Sequence, residues 1–120
     1  MKKILIIDDD AKIRNIYNRF LTDEGFEVIE AEDARDGTFK MIRIGSPVDL
    51  VLLDINMPEV DGCIMRQVIE EWDPGLKFIV SSVYPLEEQK QMIPNATDYY
   101  DKSKGTKVLL KKIYKVLEEI

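Results

Sequence analysis

The sequence predicts a doubly wound α/β fold: one five-stranded parallel sheet with five helices packed on its two faces. Three observations lead there. Five short apolar runs alternate with five longer stretches of helical periodicity along the chain. The first and third runs are almost continuously hydrophobic, as strands covered on both faces must be. The 120 residues, 45% of them hydrophobic, are enough for one core and too few for two.

The elements follow in order. "KILII" (3–7) is the first buried strand, and Ile13, Ile16, Tyr17, Phe20 and Leu21 then keep a helical stripe up to the break at Gly25. "FEVIEA" (26–31) partly alternates, which marks an edge strand, and residues 33–44 form a weaker helix ended by Gly45. "VDLVLL" (48–53) is the second continuous run, and Met65, Val68, Ile69 and Trp72 keep the next helical stripe before Pro74-Gly75. "KFIVSS" (77–82) is the fourth strand, followed by a short helix, "PLEEQKQMI" (85–93), that Pro94 cuts off. "TDYYD" (97–101) has the faintest strand pattern, and Leu109, Ile113, Val116, Leu117 and Ile120 form the apolar stripe of the last helix. Right-handed crossovers and the flavodoxin-like strand order 2-1-3-4-5 fit five such units. That order sets strands 1 and 3 on either side of the switch point, where such sheets bind ligands beyond their strand ends.

Composition narrows the chemistry. No stretch of ~18 apolar residues occurs, so no membrane-spanning helix is predicted. The N-terminal "MKKILIIDDD" meets three acids too early for a signal peptide. Together with the lone Cys63, which reads as packing, this leads us to expect a cytoplasmic protein. A net charge of −6 without a basic tract argues against direct nucleic-acid binding. The absence of histidine removes histidine-based catalysis and histidine metal ligands. Carboxylates, hydroxyls and lysines remain.

These groups gather at the strand ends. Strand 1 runs into Asp8, Asp9 and Asp10, strand 3 into Asp54, strand 4 into Ser81 and Ser82, and strand 5 into Lys102. One acid at a strand end is commonly a helix cap, but that does not explain four ends together. Clustered carboxylates repel one another unless cations balance them. Lys102 brings one positive charge, and the remaining hard oxygen ligands suit Mg²⁺ or Mn²⁺. Such a site fits phosphoryl transfer, with Asp54 able to act as the nucleophile of an acyl phosphate.

With "LIIDDD", "LLDINMPEVDG", "VSSVY" and "DYYDKS" in place, the chain closely resembles the receiver domain of bacterial two-component response regulators over 1–120. The resemblance implies that Asp54 is the phosphoacceptor, Asp9 a direct metal ligand, and Asp8 the holder of metal-bound water. It implies that the backbone carbonyl of Asn56 completes the metal shell, with Pro58 and Gly62 shaping the loop after Asp54 and the entry to the third helix, where Asp61 is a cap candidate. Ser82 matches the hydroxyl that turns to the phosphoryl group, Lys102 the lysine that pairs with it, and Tyr99 the aromatic that changes rotamer. Val83, where relatives have a smaller residue, is expected to narrow access, and Tyr84 to tune the lifetime of the phosphoryl group. Ser103 stands where relatives have proline, which puts the usual cis peptide there in question.

The function so implied is a switch that catalyses its own phosphorylation and dephosphorylation. A histidine kinase or histidine phosphotransfer protein would be the donor. The surface of the fourth helix, fifth strand and fifth helix would address an output domain or target protein. Lys12, Asn15 and Arg19 on the first helix offer a docking face for the kinase. Two rivals are weaker. A phosphatase of the haloacid-dehalogenase kind would share the Asp8-x-Asp10 pattern, but Gly-Thr should follow it and Ala11-Lys12 does. A flavodoxin-like cofactor carrier would need a Ser/Thr/Gly-rich phosphate loop after strand 1, and none is present.

Overall fold

The computed structural model describes residues 2–44, 48–54 and 75–117. The predicted helix with Met65, Val68, Ile69 and Trp72, Cys63, the loop residues Asn56, Pro58, Asp61 and Gly62, and Ile120 all lie outside them. The described elements are β1 (Lys3–Ile7), α1 (Ala11–Asp23), β2 (Glu27–Ala31), α2 (Ala34–Ile44), β3 (Leu50–Asp54), β4 (Lys77–Ser82), α3 (Leu86–Met92), β5 (Asp98–Asp101) and α4 (Thr106–Leu117). A 3₁₀ turn at Lys102–Lys104 links the last two. All strand pairs are parallel, in the order β2-β1-β3-β4-β5. The flavodoxin-like topology is therefore present, and β2 is an edge as its alternation predicted.

The alternation of side chains along each strand divides the core in two. Leu5, Ile7, Val51, Leu53, Phe78, Val80 and Tyr99 face one way, joined by Met41 of α2 and Leu86 of α3. Ile4, Ile6, Leu50, Leu52, Ile79 and Tyr100 face the other, against Tyr17 and Leu21 of α1 and Leu109 and Ile113 of α4. Tyr99 and Tyr100 thus lie on opposite faces, as adjacent strand residues must.

Local chemistry sets the ends of the helices. Asp10 caps α1 through Oδ1, which accepts the N–H groups of Lys12 at 2.9 Å and Ile13 at 3.4 Å. The same helix ends in a Schellman turn. Gly25 adopts φ +94, its N–H donates to Thr22 O, and the N–H of Phe26 donates to Leu21 O. Leu21 and Phe26 then share one apolar cluster, which completes the motif. In α3, Pro94 ends the helix, and Asn95 makes the return to β5 at φ +67.

The α1 stripe needs one correction. Ile16 is 52% exposed, while Tyr17 and Leu21 carry the burial. Residues 13, 17, 20 and 21 already fill the seam that the sheet offers, and Ile16 falls beyond its rim. Leu21→Ala should therefore cost about 2–5 kcal/mol in urea unfolding, whereas Ile16→Ala should stay within about 0.5 kcal/mol. Equal losses would show that Ile16 belongs to the core.

Candidate functional site

Strand register assembles the site. Ile7 pairs with Leu53, Leu53 with Val80 and Val80 with Tyr99, all apolar and buried. One residue further on, polarity switches. Asp8 leaves β1, Asp54 pairs with Ser81, and Ser82 pairs with Asp101 just before Lys102. The sheet thus delivers the predicted acids and lysine to one edge.

There, Asp8, Asp9 and Asp54 each present a carboxylate oxygen, and these oxygens all lie within 4.8 Å of one another. Asp8 and Asp54 are each only 2% exposed, whereas Asp9 faces solvent. Lys102 Nζ lies 3.1 Å from Asp8 Oδ2 and 3.3 Å from Asp54 Oδ1, bridging the two buried acids. One ammonium among three carboxylates leaves the cluster net negative. All the donors are hard oxygens at a separation that one small divalent ion can span, so the residues present fit Mg²⁺.

Each group is held from behind. Asp8 Oδ1 accepts the N–H of Asp10 at 2.8 Å, while Arg14 donates to the Asp8 carbonyl. Arg14 is itself braced by Glu30 at 3.2 Å, and Asn18 donates to the other Glu30 oxygen at 2.7 Å. Lys102 opens the 3₁₀ turn, whose shape comes from Asp101 accepting both the N–H (2.9 Å) and the hydroxyl (2.7 Å) of Ser103. Proline at 103 would have neither donor. Among the described residues no peptide bond is cis. The hydroxyl and N–H of Ser103 also hold the exposed Asp101 carboxyl below its ordinary pKa.

Ser82 is fully buried, and its hydroxyl accepts the N–H of Tyr84 at 3.1 Å. Val83 and Tyr84 follow it at 63% and 41% exposure. Tyr99 points inward: its hydroxyl donates to Ile93 O at 2.7 Å and accepts the N–H of Ala96 at 3.2 Å. On the α1 side, the Ser81 hydroxyl is buried without a hydrogen-bond partner among the described residues. Burial pushes the pKa of the Tyr17 phenol up; the Ser81 hydroxyl beside it, though not in proper bonding geometry, pulls it down, and the Asp8 and Asp54 charges raise it. Tyr100 is pushed up to about 12, chiefly by burial. Both phenols stay neutral and add no charge beneath the acids.

Asp10 is a cap and stands apart from the acid cluster. Lys12, Asn15 and Arg19 are exposed on α1. Asn56 lies outside the described residues. Two supporting residues escape sequence reading. Arg14 could have been found from its place one turn after the acids, inside an otherwise apolar seam. Gln89 is buried within the polar "EEQKQ", and its spacing from Leu86 and Ile93 on one helical stripe is the signal that could have found it.

The comparisons with known proteins agree with this geometry. The response regulator receiver domain family matches residues 4–114. The chain is 34% identical to the chemotaxis protein CheY of Treponema pallidum over 119 residues, covering 97% of this chain and 83% of that one. The response regulator TrrA of Thermotoga maritima, solved with Mg²⁺ and BeF, superposes with a TM-score of 0.84 at 30% identity, covering 97% of this chain and 99% of that one. TrrA solved in complex with the histidine kinase ThkA gives 0.83 at 31%, covering 98% and 99%.

The electrostatics lead to paired expectations in EDTA. Lys102→Met leaves the buried acids uncompensated and should lower stability by about 3 kcal/mol in urea unfolding. Asp54→Asn removes one repelling charge and should raise it by about 1 kcal/mol. If both variants moved stability in the same direction, the charge balance described here would be wrong.

Proposed function

Since this chain belongs to the response regulator receiver domain family, we propose that it is a phosphorylation-dependent signalling switch with Asp54 as phosphoacceptor. The observation that carries the reading is the meeting of Asp8, Asp9 and Asp54 within 4.8 Å, with Lys102 bridging the two buried acids. Membership of this family also sets aside the haloacid-dehalogenase and cofactor-carrier readings.

In the proposed reaction a carboxylate oxygen of Asp54 attacks the phosphorus of the donor. The bond from phosphorus to the donor breaks, leaving an acyl phosphate on Asp54 and the electron pair on the leaving group. Mg²⁺ or Mn²⁺, held by Asp8, Asp9, Asp54 and the Asn56 carbonyl, would supply positive charge against the phosphoryl oxygens. Lys102 already faces Asp54 Oδ1, and it exchanges part of its carboxylate pairing for a phosphoryl oxygen. Ser82 turns its hydroxyl toward the same group, giving up the Tyr84 N–H it now accepts. The modification adds roughly −1.5 to −2 charges, which drives these shifts. Inward Tyr99, tied to Ile93 and Ala96, is the resting rotamer in this reading.

The donor is a histidine kinase or histidine phosphotransfer protein, by likeness to TrrA, which was solved with the kinase ThkA. The receiver itself catalyses both transfer and hydrolysis, Val83 limits access, and Tyr84 tunes the lifetime of the acyl phosphate. The surface of α3, β5 and α4 addresses a downstream output domain or target protein, without direct nucleic-acid contact. The whole of 1–120 acts as this one domain. A cytoplasmic location goes with the reading.

Incubation with acetyl phosphate and Mg²⁺ should add one phosphoryl group by intact mass, absent with EDTA and in Asp54→Ala. Val83→Ala should take up the group faster. No adduct in either the native chain or Val83→Ala would overturn the assignment of Asp54.

A further inference from the structure

Among the described residues, Gln89 and Ser81 are buried polar residues that phosphoryl transfer leaves without a role, and Gln89 is the one tied to the loop after β4. It lies in α3, yet its exposure is 0%. Its Nε2 donates to the carbonyl of Tyr84 at 2.7 Å, to that of Tyr100 at 3.0 Å and, most loosely, to that of Ser82 at 3.5 Å. Its Oε1 is buried with no partner among the described residues. Turning the amide over would set Oε1 against three carbonyls and lose every bond, so the orientation follows from its surroundings.

Those carbonyls come from two strands and a loop. Ser82 and Tyr100 lie on neighbouring strands in the last rungs of the β4–β5 ladder, where Ser81 pairs with Tyr100 and Ser82 with Asp101. Tyr84 is in the loop after β4, and its N–H rests on the Ser82 hydroxyl. Where the ladder runs out, buried carbonyls still need donors, and Gln89 supplies them from the helix. The amide has two hydrogens for three acceptors. A small shift of the loop therefore redistributes its bonds instead of breaking them all.

We propose that Gln89 is a positioning residue that makes the loop after β4 and helix α3 move together when Asp54 is modified. The inference rests on Asp54 being the phosphoacceptor. When Ser82 turns to the phosphoryl group, it releases the Tyr84 N–H, and the loop is then held through the Tyr84 carbonyl by Gln89. A displacement of the loop that keeps the 2.7 Å Tyr84 bond, at the expense of the looser ones, is delivered to α3 through it. The Tyr100 bond ties the same amide to β5, two residues before Lys102 opens the 3₁₀ turn. One side chain thus joins both phosphoryl-contacting residues to one helix.

Beryllofluoride with Mg²⁺ serves as the probe, read by amide exchange at residues 89 and 93, whose N–H groups bond to Pro85 O and Gln89 O. In the native chain the probe should change exchange there roughly fivefold or more. In Q89M, which keeps the length and loses the donor, the change should fall below about twofold while probe affinity stays within about twofold of native. A purely structural role would leave the response of a folded Q89M intact, and that result would overturn the inference. If Q89M does not fold, Q89N decides: its shortened arm should weaken the response, and a full native response would overturn the proposal. A native chain that binds no beryllofluoride would instead overturn the phosphoacceptor reading, and the inference with it.

Discussion

The structure turns on one constraint: two carboxylates, Asp8 and Asp54, are held out of water at the end of a parallel sheet, each only 2% exposed. Removing an acid from water is costly unless opposite charge and hydrogen bonds come with it. Lys102 brings the charge, and the Asp10 N–H supplies one of the hydrogen bonds. With Asp9 close by, the balance stays negative, so the site is incomplete without a further cation. A divalent metal would answer that deficit, and the proposed phosphoryl transfer, which brings further negative charge, would depend on it.

Much of the surrounding structure exists to keep the acids there. The Asp10 cap starts α1 directly after the acids, and Arg14, braced by Glu30, pins the Asp8 carbonyl from inside that helix. Asp101 and Ser103 shape the turn that brings Lys102 back over the pocket. Ser103 works here because it can donate from both its hydroxyl and its backbone. Apart from the Arg14–Glu30 brace, these supports span only a few residues of sequence.

The loop after β4, α3 and β5 are held together by contacts among residues 84–100. Tyr99 closes over the end of α3 by bonding Ile93 and Ala96, and Gln89 closes the end of the β4–β5 ladder. The short helix is therefore tied to strand 5 at two points. Its position follows from these ties to the β4 and β5 ends more than from its own weak helical preference.

The sequence by itself determined the strands, the strand order, the helix breaks at Gly25 and Pro94, and the acids, hydroxyl and lysine that share one edge. Each is written in local pattern: two-residue or 3.6-residue periodicity, backbone-restricting residues, and polar residues directly after apolar runs. Only tertiary structure decided that Ile16 lies outside the core, since periodicity gives the direction of a face but not the width of the seam it meets. It alone placed Lys102 between Asp8 and Asp54, residues 94 and 48 positions away in the chain, and gave Gln89 three carbonyls to serve. A polar side chain reads as a surface residue until the backbone groups it must satisfy are known, and those belong to strands that meet only in the folded sheet.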